Sequence, residues 1–429
     1  MQSSNKEEIT ALEGEILRAI QCGDDKRAGQ LWERILECAP VHPKALLVLS
    51  QRFFRAGDLA RAHALLQRLV EVDAGDLQQW LNLAVVCQQM GDQEGEQAAI
   101  LGALTVDPSD MVALLLRGNL LERQGKTHAA ARAYGGAVRV APPLGRVKPE
   151  LRPAVERAAA YREQYDLEFG AHMDSHLAPF FRNMQGENLN RFRDAVDIML
   201  GRKKRYDAQP MVFHYPGLAP ISFFERADFA WLDPIEAATD AIGAEFLAVL
   251  RREQGFTPYL TYPPDQPHNQ FAELNNSPRW SAYHLYQDGK PVRQNVAHCP
   301  LTMAALAGAP MPNQAGRTPT AMFSLLRPNT RIPPHVGASN ARLVVHLPLI
   351  IPERCGFRVG NDTREWVRGK AWVFDDTIEH EAWNDSDKLR VVLIFDVWHP
   401  HLSPAEHAMI EAMTLGINAF SGGQGGMEL

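Results

Sequence analysis

Four glycines, Gly23, Gly57, Gly91 and Gly125, recur at intervals of 34 residues, and a fixed period of that length restricts the first third of the chain to stacked copies of one supersecondary unit. Further columns keep the same phase. They are Pro40, Pro108 and Pro142, with Ala74 in the remaining place; Ile35, Leu69, Ala103 and Ala137; and Cys38, Val72, Val106 and Val140. Between these landmarks apolar residues fall at helical spacing, as in Ala62, Leu65, Leu66 and Leu69, so each repeat reads as two helices. Glycine at the turn tolerates the left-handed backbone that ends the first helix, and proline near the repeat end stops the second. The third repeat is the least regular, with Gly95 and Gly102 inside its second helix.

A 34-residue helix pair with small residues in its second helix resembles the tetratricopeptide repeat, here over roughly residues 5–143. The implied solenoid of about four repeats presents a concave groove, expected to hold a peptide or carrier partner. Residues 144–208 stay helical in pattern and read as a linker that caps the solenoid. After Gln209 the texture changes: Pro210, Pro216, Pro220, Pro258, Pro263, Pro264 and Pro267 separate one expected helix, over 234–254, from irregular and extended segments. Short β-type runs then recur at 321–326, 342–350, 356–359, 371–374 and 390–397, which suggests a sandwich or barrel, jelly-roll being a common solution. Ser403, Pro404 and Glu406 form a capping box opening a final helix. The glycine-rich residues 421–429 are expected to be loose. The fold expected is therefore α+β in two domains, an all-α solenoid over 1–143 and a β domain over 209–429.

The net charge of −7 and pI of about 6.1 give no global basic field, so neither nucleic acid nor anionic lipid is an expected partner. The polar start MQSSNKEEIT and the lack of a long apolar run point to the cytosol. Five cysteines without a CxxC spacing suggest neither a disulfide framework nor a thiolate zinc site, so any metal is expected on histidine and oxygen ligands.

Chemistry concentrates in two stretches, RIPPHVGASNARLVVHLPLI and RVGNDTREWVRGKAWVFDDTIEHEAWNDSDKLRVVLIFDVWHP. His335 follows two prolines at an expected loop exit and His380 lies 45 residues later on a separate expected strand, an arrangement that aims two imidazoles at one interior point. Two neutral imidazoles suit ferrous iron and leave several positions for other ligands. The carboxylate that commonly sits two residues after the first histidine is absent, since Gly337 stands there. Arg390 lies on an otherwise apolar strand, where a guanidinium demands an anionic partner. Asp375 and Asp376 before a turn read as a hairpin device, His298 with Cys299 and His399 with His401 as loop residues, and Trp398 as core.

The motifs PHVG, Asn340-x-Arg342, FDD, EHEAWN and DVWHP, spread over roughly residues 280–400, resemble those of the aspartyl/asparaginyl β-hydroxylases. These are iron(II)- and 2-oxoglutarate-dependent oxygenases on a double-stranded β-helix. The resemblance implies iron held by His335 and His380 alone, with 2-oxoglutarate and O2 as cosubstrates and hydroxylation of an aspartyl- or asparaginyl-like group in a peptide, carrier-bound or small-molecule substrate. Water takes the place of the absent carboxylate in that family, so Gly337 supports the likeness. Arg390 matches the residue that clamps the distal carboxylate of 2-oxoglutarate, Ser324 the hydroxyl beside it and His346 a side chain near its keto-acid end. Arg342 matches the arginine that grips the substrate's acidic side chain, and Val344 stands where the best-known members carry a second arginine. Halogenation, lipid hydroxylation and a catalytically silent repeat adaptor remain as alternatives; the retention of both histidines and Arg390 speaks against the adaptor.

Overall fold

The computed structural model describes residues 2–184, 186–263, 265 and 269–421, and it divides into two compact units at Leu189/Asn190. The division falls inside the stretch expected to link the solenoid to the β domain.

Among the described residues the first unit opens with eight helices in four pairs: α1 (Gln2–Gln21), α2 (Asp25–Cys38), α3 (Pro43–Arg55), α4 (Leu59–Val72), α5 (Leu77–Met90), α6 (Gln93–Val106), α7 (Met111–Arg123) and α8 (Thr127–Val140). Each in-phase glycine sits at the turn inside a pair with φ of +71°, +80°, +74° and +70°, the conformation that disfavours any residue with a Cβ. The following helix is capped by Asp24, Asp58 and Asp92 in three repeats, each accepting from a backbone N–H of the first turn. Lys126 occupies the fourth position and caps nothing. Gly102, which looks like a defect in a helix, lies where a Cβ would enter the Trp80 ring; its absence lets α6 approach α5. After α8 the chain enters a 32-residue helix, α9 (Arg152–Asn183). Its Val155 and Ala158 bury against Tyr134 and Ala137, and Arg157 reaches Glu122 at 2.8 Å and the Tyr134 hydroxyl at 2.9 Å.

In the second unit the helix expected over 234–254 is two, Leu232–Ala237 and Thr239–Leu250, broken at Ala238. Eleven strands follow among the described residues: β1 (Thr257–Pro258), β2 (Trp280–Gln287), β3 (Lys290–Pro291), β4 (Ala321–Leu326), β5 (Thr330–His335), β6 (Arg342–Ile350), β7 (Cys355–Val359), β8 (Asp362–Arg364), β9 (Trp372–Phe374), β10 (His380–Asn384) and β11 (Arg390–Trp398). They form two antiparallel sheets, one in the order β1-β2-β4-β11-β6-β9 with β3 beside β2, the other β5-β10-β7-β8. One face of the larger sheet, carrying Phe323, Leu325, Val345, Leu347 and Leu393, packs on Ile235, Ile242, Phe246 and Val249 of the two helices. On the smaller sheet's side, Ile332, Phe357, Val359 and Ala382 meet Trp280, Leu326 and Phe374. The central strands are thus covered on both sides, which is why β6 and β11 read as nearly continuous apolar runs. The result is the expected jelly-roll, with its site between the sheets.

Two local readings are corrected. The prolines before His335, expected at a loop exit, lie within β5; proline is tolerated there because β5 is an edge strand, with no ladder partner on one side. The strands β1, β2, β3, β5 and β8 were not expected, and β10 was expected only as the strand that carries His380. The capping box at Ser403 and Glu406 is present and opens the helix Pro404–Phe420, whereas the expected loose tail lies, from residue 422 on, outside the described residues. No described helix is long and apolar enough to cross a membrane.

Candidate active site

His335 ends β5 and His380 begins β10, and the two are direct partners across that antiparallel ladder. Pairing in register brings their rings to 4.1 Å between centroids, inclined by 52°. Each Nδ1–H donates to a backbone carbonyl two residues earlier, His335 to Pro333 at 2.8 Å and His380 to Ile378 at 3.0 Å. Those bonds fix the tautomer and leave both Nε2 lone pairs for a ligand outside the strand, the arrangement that metal-binding histidines need. Burial pushes both rings below the ordinary imidazole range, His380 further because His335 is beside it. Both are therefore neutral, as metal ligation requires. Phe271 and Trp280 face the His335 ring and Phe357 and Phe374 the His380 ring, so the pair stands against an aromatic wall.

The histidines line a cavity of about 840 Å³ together with Ser324, Arg342, Val344, His346 and Arg390; the residues to which the resemblance gives a metal, cosubstrate or substrate role all reach this one space, whereas Asp375, His298, Cys299, Trp398, His399 and His401 do not line it. Arg390 is 1% exposed. Its Nε has no hydrogen-bond partner, and among the described residues none of Asp375, Asp376 and Asp396 pairs with it, so the fold supplies no structural ion pair for this arginine. The guanidinium lies over the Trp366 ring, 4.9 Å from the centroid, a stack that orients a cation without neutralising it. Burial lowers it to about 10, which leaves it charged near neutrality. A buried, charged, unpaired fork is built for an anion from outside the chain. Ser324, fully buried, accepts from the Trp280 indole N–H at 3.2 Å, which leaves its own proton free to donate. His346 is buried with Nδ1 unpartnered and is held well below the usual imidazole range, first by burial and then by Arg390.

Arg342, at the start of β6, also lines the cavity. Its Nη2 donates to Asp376 Oδ2 at 3.1 Å, and Asp376 and Asp396 both act on its charge. Burial raises both carboxyls, Asp396 to about 6, while Arg342 opposes the rise. Asp376, a turn residue on the sequence reading, does more than shape a hairpin. Its carbonyl accepts from Gly337 N–H at 2.6 Å, and its carboxylate occupies the place where a Cβ on residue 337 would stand. The missing side chain after His335 is thus a packing requirement as well as a missing ligand. Asp375 is the hairpin device expected, accepting from Thr377 N–H at 2.9 Å and Thr377 Oγ1 at 2.6 Å. Trp398 is core, stacked on His407 at 4.3 Å, and His399 Nδ1 accepts from His401 N–H.

A family model described as aspartyl/asparaginyl β-hydroxylase matches residues 236–400. The ornithine lipid ester-linked acyl 2-hydroxylase of Rhizobium tropici is 36% identical over 213 residues, which cover 49% of this chain and 72% of that protein. The aspartyl/asparaginyl β-hydroxylase of Homo sapiens is 26% identical over 417 residues, covering 92% of this chain and 50% of that one, so the chain spans about half the length of the human relative. Among solved structures, the crystal structure of MamA protein aligns with 41% of this chain and 96% of its own, at 16% identity and a TM-score of 0.31.

Proposed function

Because the chain belongs to the aspartyl/asparaginyl β-hydroxylase family, and is on that ground a hydroxylase, we propose that it is an iron(II)- and 2-oxoglutarate-dependent dioxygenase working in the cytoplasm. The observation that carries the reading is the pair of histidines with Nδ1 tied to backbone and Nε2 free, in one cavity with a buried arginine that has no partner of its own. His335 and His380 would hold the metal; Arg390 and Ser324 would take the distal carboxylate of 2-oxoglutarate, with His346 nearer the keto acid. Iron with 2-oxoglutarate and O2 supplies the oxidative power, one oxygen atom entering a C–H bond of the substrate and the other the succinate formed with CO2.

The chain's own part is placement. Nδ1–H bonds keep the imidazoles oriented, the rings of Phe357, Phe374 and Trp280 exclude water, and no protein acid or base is required at the reacting carbon. Arg342 keeps donors to spare beyond the one given to Asp376. With Asp376 and Asp396 beside it, the amide of an asparaginyl-like group is a better guest there than one more carboxylate. A peptide held in the groove of α1 to α8 would be the carrier of that residue.

A second reading, hydroxylation of a lipid acyl chain, is favoured by the likeness to the ornithine lipid enzyme and by one observation. Met413 and Ile417 of the helix Pro404–Phe420 line the cavity, and Met409 and Phe420 on that same helix are 70% and 97% exposed. Incubation under O2 with iron(II), 2-oxoglutarate and either asparaginyl/aspartyl peptides or acylated amino-acid lipids separates the two. Succinate formed in step with a one-oxygen mass gain in the peptide supports the first; the gain in the lipid alone supports the second; neither product with either class refutes the reading as a hydroxylase of these substrates.

A further inference from the structure

A second cluster of ligating groups stands in the first unit, in the solenoid. His63 on α4, Cys87 on α5 and Asp92 at the cap of α6 bring an imidazole nitrogen, a thiol sulfur and a carboxylate oxygen within 4.8 Å of one another. Among the described residues no other set of three or more such groups converges in this way. The three come from three helices and two repeats, so neither a CxxC nor any other local spacing announces them.

The repeat register shows that this corner of the third repeat is built differently. At 34-residue steps, Cys87 corresponds to Ala19, Phe53 and Leu121, and Gly95 to Arg27, Arg61 and Ala129. A bulky side chain in each neighbouring repeat is thus replaced by a thiol, and a long one in the two preceding repeats by none. Gly95 has no positive φ to demand glycine, and glycine inside a helix costs about 1 kcal/mol relative to alanine. Its use has a spatial reason: a Cβ there would stand 3.1 Å from Cys87 Sγ and press on the Asp92 carboxylate. The glycine keeps open the space in which thiol and carboxylate meet.

Each of the three groups also keeps a ligating atom free. Asp92 spends one oxygen, Oδ1, on the Gly95 N–H at 2.9 Å, leaving Oδ2. Cys87 is a free, fully buried thiol. The His63 ring is half-buried and engaged in no hydrogen bond among the described residues. Asp92 is not fully buried and gives the cluster a side open to solvent.

We propose that His63, Cys87 and Asp92 bind a zinc ion, with water completing a four-coordinate site, and so clamp the second repeat to the third. One sulfur, one nitrogen and one oxygen ligand match zinc's borderline character and its four-coordinate habit. Burial pushes the Cys87 thiol up to about 11, so without a cation it is neutral. Zinc binding converts the thiol to a thiolate and releases one proton to solvent.

Cobalt(II) added to the reduced full-length chain provides the test, because the cavity between the sheets offers histidine and no cysteine, so a thiolate-to-cobalt charge-transfer band does not come from there, and its loss in Cys87→Ser separates this cluster from the chain's four other cysteines. The expected result is a near-ultraviolet band that saturates at one equivalent, is displaced by zinc, and disappears in Cys87→Ser. His63→Ala, at a half-buried position where the fold has least to lose, should weaken cobalt binding by at least about tenfold, the minimum seen even for groups one shell removed from a metal. No band, or a band of unchanged strength in Cys87→Ser or of unchanged affinity in His63→Ala, overturns the proposal.

Discussion

Adding one methyl group at Gly337 tests how the cavity is packed. In Gly337→Ala the new Cβ falls on the Asp376 carboxylate, which can give way only by leaving Arg342, to which Oδ2 is bonded at 3.1 Å. Overpacking a close-fitted site costs about 1–3 kcal/mol, and a lost charge-assisted hydrogen bond about 1.5–3 kcal/mol, so a destabilisation of about 3–5 kcal/mol is expected for the second unit. Urea unfolding followed by near-ultraviolet circular dichroism measures it, since the tryptophans around the cavity belong to that unit. The decisive comparison is a double-mutant cycle with Asp376→Ala. Without the carboxylate there is nothing to strike, and Gly337→Ala should then cost less than about 1 kcal/mol. A cost below about 0.5 kcal/mol in the parent, or an equal cost in both backgrounds, refutes the packing argument.

Arg390→Met keeps the stem and removes the fork; it should weaken 2-oxoglutarate binding by about 100-fold in calorimetry, the equivalent of one or two charge-assisted hydrogen bonds, while the chain, relieved of a buried charge, stays folded. His399 supplies a pH test away from the two candidate metal ligands. Burial, then His401, pushes it down to about 4, so below the unfolded value of about 6.5 the unfolded chain binds a proton that the folded chain refuses. Stability is therefore lost as pH falls from about 6.5 to about 4, by at most about 3 kcal/mol, and His399→Gln should flatten that slope in urea titrations. Turnover in saturating chloride should give an oxygenated product without halogen, because Asp376 crowds the position that the absent carboxylate leaves beside Gly337; a chlorine isotope pattern in the product contradicts this.

The parts of the fold that show in the sequence are those fixed by local rules. A turn that needs positive φ calls for glycine, and four such turns at one period display the solenoid. β4 and β6 stand out because strands covered on both faces are apolar throughout. β2 is less visible, since WSAYHLYQ mixes polar and aromatic residues against two different surroundings, and β5 is disguised by prolines that only an edge strand accepts. In the cavity, motif residues His335, His346, Arg342 and Arg390 could be named in advance. The relation of Asp376 to Gly337 could not, because it depends on how two loops pack that each run between the sheets, one from β5 to β6 and the other from β9 to β10. The placing of Trp366 against Arg390 and the meeting of His63, Cys87 and Asp92 are of the same kind, set by packing between elements and invisible to spacing.

The central claim is that two histidines hold iron(II) while Arg390 holds 2-oxoglutarate in the same cavity. Anaerobic titration of the full-length chain with iron(II) and 2-oxoglutarate, followed by the visible metal-to-ligand charge-transfer absorption of the chelated keto acid, measures it directly. The account predicts a band saturating at one iron and one 2-oxoglutarate per chain, absent in His380→Ala although far-ultraviolet circular dichroism shows the helical unit intact, and requiring about 100-fold more 2-oxoglutarate in Arg390→Met. A band that persists unchanged in His380→Ala, or no band in the parent chain, contradicts it.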